Sequence, residues 1–211
     1  MKETGKLKMV SEFPKEKGKV NLMATTMEVK EIILEAAIEE FGNKGLKFTM
    51  DDIARNLSIS KKTVYAAFEN KEAMLLALAD YCFADIKKSE KVILEDADMD
   101  VLTKIEKIMV VLPERYQNIG LQNLYQLSDK YPRIYQRVAT YLSTDWDATI
   151  SLLEQGIAEG KIRPIKIPVL KAMVESTLQE FFSNSILVEN GIGYEEALKE
   201  MIQIIIMGIR A

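Results

Sequence analysis

The residues able to do chemistry concentrate in one short stretch, ISKKTVYAAFENKE, residues 59–72. It sets Lys61, Lys62, Thr63 and Tyr65 between apolar anchors, with Lys71 just beyond, in a chain of net charge -4. Lysine can meet a phosphate or a guanine edge, and threonine can donate, accept or touch a thymine methyl. A tyrosine hydroxyl suits a phosphate oxygen. Thr49 and Ser60 stand at two expected helix starts, where free backbone N–H groups favour anions. The chemistry available here is contact with a polyanion. Catalysis has little to work with. The chain has no histidine and one cysteine, Cys82, in phase with Leu78 and Ile86 as a core position. GxGxxG, P-loop and metal-ligand spacings are missing from the sequence, so the reading is a non-enzyme with no metal and no cofactor. Taken singly, Lys61 and Lys62 could be a solvated face, and Tyr65 could be packing.

The elements that must position these residues follow from periodicity. Val29, Ile32, Ile33, Ala36, Ala37 and Phe41 fall at helical spacing behind a capping box at Thr25 and Glu28, and Gly42 and Gly45 end that helix. Thr49 caps a second, short helix with Asp51 and Asp52 at its positive end. SIS, residues 58–60, is a turn, and Ser60 caps a third helix through Phe68. Asn70 caps a fourth from Lys71 toward Ile93. Ile53, Leu57, Ile59 and Val64 supply a shared core, and Ala54 is small where two helices must approach. The spacing over 50–68 is that of a helix-turn-helix. Its second helix, about eight residues and roughly 12 Å long, can lie in a major groove about 12 Å wide.

Residues 33–78 resemble the DNA-binding domain of the TetR-type transcriptional regulators. The matching pattern is a first helix ending F-x-x-x-G, then T-x-x-x-I-A, then S-x-x-T-x-Y-x-x-F-x-x-K-E. Two positions depart from it: Ser58 and Lys62 stand where glycine is common. Serine tolerates a left-handed backbone poorly, which implies a strained or differently shaped turn. The resemblance implies a homodimer on a palindromic operator, a small-molecule pocket in the C-terminal part, and a phosphate contact for Lys71.

The rest of the chain is expected to be all-α, about nine helices in total. Residues 1–24, with six lysines against three glutamates, read as a flexible basic tail, 25–75 as the DNA-binding domain, and 76–211 as a helical effector-binding and dimerisation domain. Residues 1–75 carry 13 Lys and Arg against 12 Asp and Glu, whereas 76–211 carry 15 against 20. Only the N-terminal third can therefore receive a polyanion. A helix is expected from Pro132 to Gly156 or Gly160, and two more over roughly 168–189 and 194–210. Methionine and aromatic residues recur through this part. Most of them are ordinary core, but Met109, Tyr125, Trp146 and Phe181 have the phase and position to line a mostly apolar pocket. The last two helices are apolar on more than one face. Val174, Leu178, Phe182, Ile202, Ile205 and Ile209 are read as a dimer interface, with burial inside one subunit as the alternative. The expected partners are double-stranded DNA, a second copy of the chain and a small apolar or aromatic effector. No membrane partner is expected, because the longest strongly apolar run is far below the roughly 20 residues that span a bilayer. One cysteine and no visible leader point to a cytoplasmic setting.

Overall fold

The structure is a computed structural model that describes residues 26–113, 116 and 126–211. The tail, Thr25 of the expected first cap, and Tyr125 lie outside the described residues, as does the Phe182 side chain. The described residues are helical, and their one β-type pairing is an isolated bridge between Ile162 and Arg210.

Helix α1, Thr26–Lys44, buries Ile33, Leu34, Ala36, Ala37, Ile38 and Phe41. Gly45, at φ +56, turns the chain out of it, a conformation glycine adopts without steric cost. Helices α2, Met50–Asn56, and α3, Lys61–Ala67, follow, then the 25-residue α4, Lys71–Glu95. Asn70 caps α4 by accepting from Ala73 N at 2.9 Å. Helix α5, Val101–Met109, turns Val101, Ile105 and Ile108 inward, and Asp100 caps it. Helix α6 spans Leu127–Lys130. Helix α7, Pro132–Ser143, starts on its proline, where the missing N–H costs nothing.

The structure corrects two helices. The one expected from Pro132 to Gly156 is broken at Thr144–Trp146, and α8 begins anew at Asp147–Ala158. Asp145 adopts φ +65 there, a left-handed conformation that a short polar side chain tolerates best. The helix expected over 168–189 ends as α9, Ile167–Ser183. Asn184 Oδ1 accepts from Ile186 N at 2.8 Å and diverts the chain into the short α10, Ile186–Glu189. Helix α11, Tyr194–Ile209, closes the chain. Its end is tied back by Arg163 N donating to Ile209 O at 2.9 Å and Ala211 N donating to Lys161 O at 3.1 Å.

Two buried clusters organise these helices. One joins α1–α3 to the first turns of α4 and extends to Tyr116, Leu127 and Ile134. The other gathers α5, α8, α9 and α11 around Ile105, Leu153 and Ile162. Helix α4 runs unbroken from one cluster to the other, through the boundary expected at residue 75, and α7 packs along it.

Candidate nucleic-acid interface and effector cavity

The helix-turn-helix is built by local rules at each end. Thr49 and Asp52 form a capping box: Asp52 N donates to Thr49 Oγ1 at 3.2 Å, and Thr49 N donates to Asp52 Oδ2 at 2.8 Å. At the other end Ser58 N donates to Arg55 O at 3.2 Å and Ile59 N to Ala54 O at 3.0 Å. That pairing is a Schellman motif with Ser58 in its left-handed position, at φ +54. The serine therefore occupies the one place in the turn that demands positive φ. Ser60 caps α3, accepting from Thr63 N at 3.1 Å, and its hydroxyl meets that of Thr63 at 2.9 Å. Ile53, Ala54 and Val64 are buried between the two helices, as the spacing required.

Lys61, Lys62 and Tyr65 project from α3, with Tyr65 49% exposed. Lys62 makes no ion pair among the described residues, whereas Lys61 is paired with Asp51 across the turn. The Thr49 hydroxyl is used on Asp52, and those of Ser60 and Thr63 on each other, with Ser60 also capping α3. Lys71 has a different place from the phosphate contact implied by resemblance. Its Nζ donates to Leu46 O at 2.6 Å and Phe48 O at 2.5 Å and lies 4.2 Å from the Phe48 ring centroid. Burial pushes its pKa down, since the site disfavours the charge. It thus ties the start of α4 to the loop before the helix-turn-helix. Sequence reasoning also missed the anchor beneath α2. Lys44 lies 3.0 Å from Asp52 and 2.7 Å from Glu40, and Arg55 also pairs with Asp52. The Lys44 and Thr49 hydrogen bonds hold the Asp52 carboxyl far below the usual carboxylate range.

A cavity of about 270 Å³ lies along α4, walled by α4, α5, α7, α9 and α11. Met109 and Trp146 line it, as expected. Phe181 does not: it packs edge-on against Tyr194, 6.4 Å between ring centroids, and Tyr194 forms the wall in its place. Most of the wall was missed. From α4 come Leu75, Leu78, Cys82 and Ile86, a stripe at steps of three and four, with Phe83 beside it, and from α7 comes Tyr141. Phe83 and Tyr141 stack at 4.5 Å. The Tyr141 hydroxyl donates to Asp80 at 2.9 Å, and Arg137 grips the same carboxylate at 2.8 and 3.1 Å. These bonds clasp α7 to α4, and the Arg137 contact holds Asp80 below its ordinary pKa.

The residues read as a dimer surface divide by helical phase in the single chain. Val174, Ile202 and Ile209 are buried within the single chain, and Leu178 with Val174 lines the cavity. Such side chains have no surface left to offer. Ile205 is half-buried in the second cluster. The faces turned outward carry Val169 and Met173 on α9, and Ile204 and Met207 on α11, the last two 64% and 78% exposed. Among the described residues no group of acidic, cysteine or histidine side chains could hold a metal ion, and no helix is long and apolar enough to cross a membrane.

The profile of the bacterial regulatory proteins of the tetR family matches residues 33–78, which span α1 through the first turns of α4. An uncharacterized HTH-type transcriptional regulator, YvaF of Bacillus subtilis (strain 168), is 23% identical over 179 residues, covering 85% of this chain and 94% of its own. The fold resembles that of a TetR-family transcriptional regulator from Cytophaga hutchinsonii, with TM-score 0.66, 18% identity, and coverage of 90% of this chain and 98% of that one. It also resembles FadR from Bacillus subtilis in complex with stearoyl-CoA, with TM-score 0.57, 18% identity, and coverage of 85% and 99%.

Proposed function

For a chain that belongs, through its helix-turn-helix, to the tetR family of bacterial transcriptional regulators, we propose a ligand-responsive repressor. It binds a palindromic operator as a homodimer and is released by a small, largely apolar effector held in the cavity along α4. The observation that carries this reading is the continuity of α4. Its first turn is tied to the reading head through Lys71, and its next four turns form a cavity wall. A guest pressing on Leu78, Phe83 or Ile86 displaces a rod whose far end carries α2 and α3. Two reading helices can enter successive major grooves only when about 34 Å apart, so a small tilt of each rod takes the pair out of register. The guest shifts the equilibrium only as far as it prefers the tilted state, and 1–3 kcal/mol of such coupling corresponds to about 5- to 150-fold weaker DNA binding.

The effector's apolar character rests on the wall, where Trp146, Phe83, Met109 and aliphatic residues predominate. The fold neighbour FadR, seen with stearoyl-CoA, supports an acyl chain as one candidate class. Val169, Met173, Ile204 and Met207 support a dimer through the outward faces of α9 and α11, since apolar side chains exposed on two neighbouring helices call for a cover. The test is a gel shift with DNA from upstream of the protein's own gene, repeated with acyl and aromatic compounds that raise its thermal midpoint. Retarded DNA released by a stabilising compound is expected. Retardation indifferent to every stabilising compound would refute effector control and leave a constitutive regulator.

A further inference from the structure

The cavity has a polar end, and its charge selects among guests. Of the described charged residues, Lys87, Glu90, Asp145 and Glu195 line it. Glu195 is engaged by Lys199 on its own helix. Lys87 is held by two carboxylates at once, Glu90 at 2.6 Å and Asp145 at 2.9 Å. The Glu90 carboxylate is the more buried of the two, 15% exposed against 58% for Asp145. Burial alone would lower the Lys87 pKa, yet the two carboxylates outweigh it and raise the value, so this lysine keeps its proton. One ammonium shared by two carboxylates leaves a net negative end. The apolar end lies near Phe41 and Leu75, about fifteen residues back along α4, which at 1.5 Å per residue is roughly 22 Å. A slot that long enclosing about 270 Å³ is narrow.

Taking the cavity as the effector site, we propose that its guest is a single-chain amphiphile whose head donates hydrogen bonds to Glu90 and Asp145, a protonated amine above all, and is not a free carboxylate. The chain lies along Leu78, Phe83 and Ile86, and the head meets the carboxylates beside Lys87. A carboxylate head has no free cation to meet among the described residues of the wall. Displacing Glu90 from Lys87 leaves a largely buried carboxylate uncompensated, which is costly, and displacing the exposed Asp145 still leaves the head beside Glu90. A protonated amine instead adds the missing positive charge, and charge-assisted hydrogen bonds are the strong ones.

The experiment titrates the full-length protein with decylamine, decanol and decanoate, each below its micelle-forming concentration, by calorimetry at pH 7. Decylamine is expected to bind at least about tenfold tighter than decanoate, with decanol between them, as one charge-assisted hydrogen bond suffices for that ratio. Glu90→Gln is expected to remove most of the amine preference, read as the ratio of decylamine to decanoate affinity. Lys87→Met frees both carboxylates and is expected to strengthen decylamine selectively, so the proposal stays testable should Glu90→Gln fold poorly. Decanoate binding as tightly as decylamine overturns the proposal and spares the cavity as effector site. An amine preference unchanged in both variants also overturns it, because the preference then reflects general attraction to an acidic chain. If none of the three binds, the proposal falls, and the effector reading of the cavity is decided by the gel shift.

Discussion

Ser58→Gly tests the account of the reading head most directly. Ser58 sits at φ +54 in the Schellman turn that ends α2 and sets the angle of α3. An L-residue held in the left-handed region costs about 1–2 kcal/mol, because its Cβ crowds a backbone oxygen. Glycine removes that cost but gives back about 0.5–1 kcal/mol through the greater freedom of the unfolded chain. The midpoints of the two ranges leave a net gain of about 0.75 kcal/mol. At about 2–4 °C per kcal/mol for a chain of this size, the thermal midpoint should rise by about 1.5–3 °C. Ser58→Ala is the control: it keeps the Cβ and the strained backbone, so it should bring no gain. Differential scanning calorimetry at fixed protein concentration reads both, with concentration held constant because the midpoint of a dimer depends on it. A Ser58→Gly midpoint equal to or below wild type, or an equal gain in Ser58→Ala, would show that the turn stores no such strain.

The Asp52 carboxyl has a folded pKa depressed by Lys44 and Thr49. Its contribution is therefore fully present above the unfolded carboxylate value, near 3.9, and lost as pH falls through the lower folded value. Asp52→Asn should lower the thermal midpoint at pH 7 and flatten its fall below about pH 4; an unchanged acid limb would refute the anchor. Removing Lys61 and Lys62 together should lower the slope of log affinity against log salt by nearly two units, at about 0.9 per phosphate contact, and wild-type affinity with a wild-type slope would exclude both. Because Lys61 must leave Asp51 to reach DNA, Asp51→Asn should tighten binding by up to about fivefold, within the 0.2–1 kcal/mol of an exposed pair. Ile204→Glu with Met207→Glu should give well-folded monomers by sedimentation, since both side chains are exposed in the single chain, whereas Ile202→Glu should abolish folding. A dimer surviving the double substitution would move the interface elsewhere.

The local pieces of this protein are determined by neighbours in sequence. Thr49, Ser60 and Asn70 cap α2, α3 and α4 because a short polar side chain can reach an N–H only two or three residues on. Ser58 stands where the resembling family commonly has glycine, and its positive φ shows the left-handed turn that glycine would serve. Periodicity reached the buried face of α1, with Ile33, Ala36, Ala37 and Phe41, because a helix facing one core repeats every three or four residues. It failed where a helix is covered on two sides. On α9 and α11, apolar residues at every phase hide the division between the inward Val174, Ile202 and Ile209 and the outward Met173, Ile204 and Met207. Only packing assigns those sides. The cavity was legible as a kind of wall but not as a set of residues. Phe83 meets Tyr141, and Lys87 meets Asp145, across 58 positions of chain in each case. Lys71 shows the same limit from another direction. Its place in a motif suggests a solvent-facing cation, yet the fold brings the carbonyls of Leu46 and Phe48 beneath it and turns the ammonium into a tie. Short-range hydrogen bonds and one-sided periodicity are written in consecutive residues; which distant surfaces meet depends on the whole chain closing around its two cores.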